Sequence, residues 1–310
     1  MDLQTQARTA IDELVTIQDL VRWSVSRMNE SDIYFGHGTD NPWDEARLLV
    51  THALSLGWEL APEWYSSRVT RAEREDVLAL VCERIESRVP APYLIGEAWF
   101  CGLAFRVDER VLIPRSPIGE MIDSEFAPWW QRGFEPADQP RRILDLCTGS
   151  GCIGIACAVQ YPDAEVELLD ISFDALAIAE ENIQRHGLED RVQAFQSDLF
   201  SAASGKYDLI VSNPPYVDAD DMASLPEEYH HEPELALAAG DDGLDLVRTI
   251  LKQARQFLTD DGLLVVEVGN SWPALEAAFP QLPFVWPEFE RGGHGVFVLQ
   301  ARDLELLADD

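Results

Sequence analysis

Lysine is almost missing from this chain. Only Lys206 and Lys252 occur among 310 residues, and 23 basic residues face 56 acidic ones, for a net charge of −33. A surface of that sign repels phosphate backbones, which argues against direct binding of DNA or RNA. It attracts basic proteins and steers their encounter. A lysine-poor, acidic surface is equally a mark of adaptation to high salt, and the residues alone leave both readings open.

Long apolar runs are missing as well. None approaches the ~20 residues that a membrane span needs, and no basic stretch followed by an apolar run opens the chain. No membrane association is expected, and the location is read as cytoplasmic. Cysteine is sparse: Cys82, Cys101, Cys147, Cys152 and Cys157 are odd in number and form no CxxC pair. That pattern argues against a disulfide framework and against a zinc site, so the five are read as reduced, structural residues. Internal repeats and low-complexity segments are absent too.

What is present suffices for full cores, with 46% hydrophobic residues and nine tryptophans over a length that suits about two domains. Residues 1–93 read as a helical domain. Apolar residues at Ile11, Leu14, Val15, Ile17, Leu20, Val21 and Val25 follow the helical period and predict one helix from Arg8 to Met28. Asn41-Pro42 with Asp44 and Glu45 starts a second, running to about Leu56. Thr70-x-x-Glu73 is a capping box that opens a third through Arg88. Trp99 to Val107 predicts a hairpin with Gly102 near its turn, inside a linking segment 94–114. Residues 115–310 form the second domain. It opens with a helix through about Trp130 and a polar loop over Gly133–Pro140.

From Arg142 onward strands and helices alternate. Strands are predicted at Ile143–Cys147, Glu165–Asp170, Val192–Gln196, Asp208–Ser212 and Leu263–Val268, with helices at Ile153–Gln160, Asp174–Arg185 and Gly243–Leu258. Phe284–Trp286 and Val296–Leu299 predict an antiparallel pair at one edge, and Asp303–Asp310 a frayed tail. This order is that of an α/β fold, a parallel sheet with helices on both faces.

The chemistry-bearing residues gather at predicted strand ends. Asp145 lies in the first strand of the alternating region, and Cys147-Thr148-Gly149-Ser150-Gly151 makes a Gly-rich turn before the next helix, the nucleotide position of doubly wound folds. Gly149, Gly151 and Gly154 satisfy the letters of the NAD fingerprint, a weak match by itself. Asp170 ends the second strand, where a carboxylate meets ribose hydroxyls, and Asp198-Leu199 follows the third, where Asp198 suits an adenine amino group. Acids in or just after three successive strands suit a cationic sulfonium ligand and fit a pyrophosphate poorly. After the fourth strand comes Asn213-Pro214-Pro215-Tyr216. Asn213 and Pro214 each precede a proline and are biased extended, so the Asn213 side-chain oxygen and neighbouring carbonyls form a rigid cluster of acceptors, with Tyr216 as a flat wall. Such a cluster suits a planar NH2 group. Methyl transfer is the best reading.

Those motifs resemble the S-adenosyl-L-methionine-dependent protein-glutamine N5-methyltransferases. The resemblance covers nearly the whole chain and implies a class I, Rossmann-like methyltransferase with a seven-stranded sheet and a small N-terminal helical domain that grips the protein substrate. It implies S-adenosyl-L-methionine held by Asp145, Cys147, Thr148, Gly149, Ser150, Gly151, Asp170, Asp198, Leu199 and Asn213, and catalysis by Asn213, Pro214, Pro215 and Tyr216. Within the family, Gly36-His37-Gly38-Thr39-Asp40-Asn41-Pro42-Trp43 and Ile113-Pro114-Arg115-Ser116-Pro117-Ile118-Gly119-Glu120 resemble the branch that modifies large-subunit ribosomal protein L-three. The nearest alternative is the peptide chain release factor branch. Adenine-N6 DNA methylation shares the Asn-Pro-Pro-Tyr turn but conflicts with the charge. A non-enzymatic assembly factor and an NAD dehydrogenase are weaker still. His37, His230, His231 and His294 are base candidates by residue type only.

Overall fold

Thr16 splits the first predicted helix in two. Its hydroxyl accepts from the Asp19 N–H at 3.1 Å, while the Asp19 carboxylate accepts from the Thr16 and Val15 N–H groups. This closed capping box satisfies donors that a continuous helix would have paired internally. Helix α1 (Leu3–Glu13) therefore stops, and α2 (Ile17–Glu30) starts afresh. The released backbone pairs with the segment before the last long helix of this unit, Ile17 N–H to Ser67 and Val69 N–H to Val15. Helix α3 (Pro42–Ala53) starts on Asn41, whose side chain accepts from the Trp43 and Asp44 N–H groups, and α4 (Arg71–Ser87) starts on the Thr70–Glu73 box. A short α5 (Ala91–Ile95) follows.

The structure, a computed structural model, describes residues 2–130 and 139–307. It divides into two compact units, Met1–Glu97 with Pro226–His231, and Ala98–Leu225 with Glu232–Asp310. The helical unit has its own core around Leu20, Met28, Leu49, Val50, Val77 and Leu78. A buried ion cluster lies in the same unit. Arg84 and Glu45 are each 1% exposed, and the Arg84 Nε donates to Glu45 at 2.7 Å. Arg84 also donates to the Tyr34 carbonyl at 2.8 Å and to Glu228, itself 1% exposed, at 3.3 Å. Burial raises the Glu45 pKa against the pull of Arg84. Burial also acts on Glu228, but the Tyr34 N–H, Arg88 and Arg84 outweigh it and hold that carboxyl below its ordinary value.

From Ala98 on, the second unit holds nearly all of a hairpin, β1 (Glu97–Phe100) and β2 (Leu103–Arg106), turned at Cys101-Gly102 with positive φ at both. Helix α6 (Ile118–Asp123) is shorter than expected, because Glu125 and Phe126 turn left-handed and carry the Phe126 ring to complete burial. The polar loop expected at Gly133–Pro140 lies mostly outside the described residues.

Six strands then form one sheet in the order β5-β4-β3-β6-β7-β8. They are β3 (Arg142–Leu146), β4 (Glu165–Asp170), β5 (Val192–Gln196), β6 (Tyr207–Ser212), β7 (Leu258–Glu267) and β8 (Val296–Gln300). All pairings are parallel except β7 with β8. The seventh strand position is held by Val285 alone, which exchanges both backbone bonds with Val298 in an antiparallel bridge. Pro283 and Pro287 bracket that segment, and proline has no N–H to extend a ladder. The connecting helices are α7 (Cys152–Gln160), α8 (Phe173–His186), α9 (Ala219–Met222), α10 (Asp245–Phe257) and α11 (Trp272–Ala278). Alternate strand residues serve opposite faces: Ile143, Leu209 and Val265 pack with α6, α7 and α8, whereas Leu144, Ile210 and Leu264 pack with α10 and α11. The C-terminal segment is anchored as far as Leu307, with Leu304 buried and Asp303 accepting from the Gln300 N–H at 2.8 Å. The expected fraying is therefore not seen there, and residues 308–310 lie outside the described part. Among the described residues no helix is long and apolar enough to cross a membrane.

Asp145 is wholly buried in β3. Its Oδ2 accepts from the Thr148 hydroxyl at 2.6 Å and the Gly154 N–H at 2.9 Å, while its buried Oδ1 has no hydrogen-bond partner among the described residues. Burial pushes its pKa up to about 7, against those two donors.

Two stability predictions follow from these buried charges. Replacing Arg84 by methionine strands Glu45 without its counter-ion and leaves Glu228 to Arg88 alone, and should lower the stability of the helical unit by about 3–5 kcal/mol, read as a fall in its denaturant midpoint. Asp145 keeps its proton in the folded chain to a higher pH than in the unfolded one. Its contribution is therefore complete below the ordinary aspartate pKa and is lost as pH rises to about 7. Asp145→Asn should remove a slope of up to about 1.4 kcal/mol per pH unit between pH 5 and 7 from the denaturation profile. An unchanged slope would mean that Asp145 is ionised throughout.

Candidate active site

In the sheet order, β3 runs on through β4 to β5 on one side, and the chain then returns to place β6 on the other side of β3. Between β3 and β6 the direction of winding reverses, and in open parallel sheets the ligand crevice forms at the carboxyl ends beside that point. The two strand ends are tied across it, with the Ser212 hydroxyl donating to the Leu146 carbonyl at 2.8 Å. Immediately beyond stand Cys147 on one side and Asn213 on the other.

A cavity opens there. Cys147 and Gly149 line it from the β3 turn, Asp170 from β4, Asp198 and Leu199 from beyond β5, and Asn213 and Pro215 from beyond β6. Two further segments complete its wall, Arg110 to Ser116 and Pro233 to Ala236. Two strained backbone positions belong to the lining. Cys147 and Leu199 hold φ of +56° and +45°, conformations that cost a non-glycine residue on the order of 1–3 kcal/mol each and persist only when their surroundings dictate them. Gly149, at φ +55°, has no heavy atom within 4 Å of where a Cβ would stand, so its backbone is bare toward the cavity.

The Gly-rich turn is fastened from both sides. The Asp170 carboxylate accepts from the Gly149 N–H at 2.9 Å and from the Ser172 N–H at 2.9 Å. The Thr148 N–H donates to the Leu169 carbonyl, and Gly151 N–H to Thr148. Burial raises the Asp170 pKa, opposed by those backbone donors. Gly154 serves packing, because a Cβ there would lie 2.2 Å from Leu168 and 3.0 Å from Asp145.

Several residues expected to contact a ligand stand behind the lining. Asp145, Thr148, Ser150 and Gly151 are not part of it. Asp145 points into the turn and supports it through Thr148 and Gly154, and Gly151 packs toward Ile155, Leu168 and Ala179. Pro214 is buried and contributes no side-chain surface to the lining. Tyr216, expected as a flat wall, does not line the cavity either. Its hydroxyl donates to Glu267 at 2.9 Å, and its ring lies against Gly269, so that buried acceptor draws it away. Asn213 keeps the predicted place, and its Oδ1 is buried with no hydrogen-bond partner among the described residues. An orphan acceptor of that kind is costly to keep without a ligand.

The four histidines named as base candidates by residue type stand away from the cavity. None of His37, His230, His231 and His294 lines the cavity: His37 packs on Tyr229 at 4.5 Å in the helical unit, and His294 bonds Asn270. Burial pushes the Cys147, Cys152 and Cys157 thiols far up, so all three stay protonated. Among the described residues no three metal-ligating side chains converge.

Two carboxylates of this unit went unmarked as site residues in the sequence. Glu232 accepts both nitrogens of a bidentate Arg115 at 2.6 and 2.7 Å and the Ile113 N–H at 3.0 Å, which locks the two added wall segments together. Glu267 binds Tyr216 and Ser116. The available signal was a lone acid closing the apolar run of β7.

A family model described as a methyltransferase small domain matches residues 134–228. The chain is 48% identical over 302 residues to the ribosomal protein uL3 glutamine methyltransferase of Francisella tularensis subsp. tularensis, covering 97% of this chain and 95% of that protein. It is 48% identical over 295 residues to the protein of the same name from Neisseria gonorrhoeae, covering 95% and 97%. Among solved structures, the hMettl16 catalytic domain in complex with MAT2A 3′UTR hairpin 6 superimposes with a TM-score of 0.51 at 17% identity over 73% of this chain and 80% of that one, a likeness of fold alone. With near-complete coverage at that identity, and a cavity at the switch point of a doubly wound sheet, the chain belongs to the family of ribosomal protein uL3 glutamine methyltransferases.

Proposed function

We propose that this protein transfers a methyl group from S-adenosyl-L-methionine to the N5 amide nitrogen of a glutamine in ribosomal protein uL3. The observation that carries the reading is Asn213 Oδ1, a buried acceptor with no partner among the described residues, at the mouth of the switch point. The names and coverage of the two relatives favour uL3 over a release factor as substrate.

The cavity's donor set fits the cofactor. Asp170 and Asp198 offer carboxylates to ribose hydroxyls and an adenine amino group, and the bare backbone at Gly149 admits close approach. The two lining arginines are already engaged, Arg110 with Asp108 and Arg115 with Glu232, which leaves no arginine or lysine unengaged among the described lining residues for a pyrophosphate. Cys147, Gly149, Asp170, Asp198 and Leu199 would hold the cofactor directly, with Asp145, Thr148, Ser150 and Gly151 shaping the turn beneath it. When bound, S-adenosyl-L-methionine supplies an electrophilic methyl group on a cationic sulfur.

The protein's task is to make an amide nitrogen react. That nitrogen is a poor nucleophile because its lone pair is shared with the carbonyl. Asn213 Oδ1 and the Pro214 carbonyl accept from its two N–H groups and fix its direction. The same acceptors stabilise positive charge as it develops on nitrogen. An amide oxygen accepts a hydrogen bond but is too weak a base to take the proton, which passes to water. We also assign recognition of the protein substrate to the helical domain, residues 1–93, because the methyl transfer itself needs none of it.

Labelled methyl from S-adenosyl-L-methionine should appear on a glutamine of purified uL3, located by mass spectrometry, and not on a class-one release factor or duplex DNA. Label on the release factor alone would keep the chemistry and overturn the substrate; no label on any glutamine would sink the reading. Asn213→Ala should lower kcat by about 100-fold or more while cofactor affinity, measured by calorimetry, changes little. Replacing residues 1–93 with the equivalent segment of a relative that acts on another protein should carry substrate preference with it. Unchanged preference would remove the recognition role.

A further inference from the structure

Glu267 closes β7 after a run of apolar residues, and it is 5% exposed. Its Oε1 accepts from the Tyr216 hydroxyl at 2.9 Å and its Oε2 from the Ser116 hydroxyl at 2.5 Å. Ser116 belongs to the cavity wall, and its hydroxyl also accepts from the Ile118 N–H. Tyr216 ends the turn that starts at Asn213. The burial of this carboxyl raises its pKa, opposed by the two hydroxyls and by Arg115. A carboxyl so placed is tolerated because both of its oxygens are hydrogen-bonded.

Tyr216 is held at two further points. The Ser271 hydroxyl donates to its carbonyl at 3.0 Å. Gly269 presses against its ring so closely that a Cβ there would stand 2.4 Å from Cε2. Asn213 is separated from this clamped residue only by Pro214 and Pro215, whose rings fix φ. The turn therefore moves as one piece, and what holds Tyr216 also places Asn213.

We propose that Glu267 is a positioning residue for the methyl acceptor, acting through Tyr216 to place Asn213 Oδ1 and through Ser116 to hold the wall segment to the same point. The proposal rests on the reading of Asn213 given above. Glu267 bonds neither the Gly-rich turn nor Asp170, so its influence falls on the acceptor and not on the cofactor.

The test is Glu267→Gln in the full chain, which keeps the volume but turns an NH2 toward one of the two hydroxyls. Methyl transfer to uL3 should lose about 10–100-fold in kcat, the scale of a displacement approaching 1 Å, while calorimetric affinity for S-adenosyl-L-methionine stays within about twofold. The double variant Asn213→Ala/Glu267→Gln should be no slower than Asn213→Ala alone, since the position of a missing side chain has no value. A kcat within about twofold of wild type, or losses that multiply in the double variant, would overturn the role. If Glu267→Gln does not fold, Tyr216→Phe cuts the same link and should show the same loss in kcat at unchanged cofactor affinity; an unaltered kcat would overturn the proposal equally. Failure of the wild-type protein to methylate any glutamine would instead overturn the functional reading itself, before any variant is compared.

Discussion

Parallel pairing of β3 with β6 is the constraint on which the site depends. The pairing sets Leu146 beside Ser212, so the residues that follow them, Cys147 and Asn213, emerge as neighbours although 66 positions apart in sequence. A crossover connection gives each parallel strand the same direction, so every connection leaves from the same edge. The β3 turn, Asp170, Asp198-Leu199 and the Asn213 turn thereby share one rim. Without the return of β6 to the side of β3, the Gly-rich turn and the acceptor turn would face different crevices.

Around that rim the protein uses buried and half-buried carboxylates as fasteners. Asp145 supports the Gly-rich turn from below, Asp170 ties it to β4, Glu232 locks Arg115 and Ile113, and Glu267 joins Ser116 to Tyr216. Each would be expensive to bury alone, and each is matched by N–H or O–H donors. Burial raises the pKa of Asp145, Asp170 and Glu267 alike, which is the electrostatic cost of this arrangement. The helical unit repeats the device with Arg84 between Glu45 and Glu228. Acidity in this chain is therefore internal architecture as well as surface charge.

Much of the fold was legible because hydrophobic period and turn chemistry act locally. The strands from Ile143 to Ser212 alternate with one helix that starts from the Gly-rich turn and one that runs from a Ser172 cap to Gly187, and their structure follows closely. The errors have local causes too. The apolar period ran straight through Thr16, whose capping box with Asp19 broke the helix. Trp130 was too far for α6, because burying Phe126 reversed the chain first. Phe284–Trp286 carries strand-forming residues, yet flanking prolines limited it to one bridge at Val285.

By itself the sequence determined the α/β class, the succession of strand ends and the residue types at each, since periodicity, glycine turns and X-Pro bias depend on near neighbours. It determined that Asn213 would present a rigid acceptor, because two prolines leave the backbone little choice. Only the tertiary structure decided which of those residues face the cavity. Asp145 and Tyr216 turn away, toward Thr148 and Gly154 in one case and Glu267 in the other, while Arg115 and Leu235 come to line it. A side chain follows its best-satisfied hydrogen bonds, and the partners that settle the matter here come as far as 51 residues along the chain, where no local pattern can announce them.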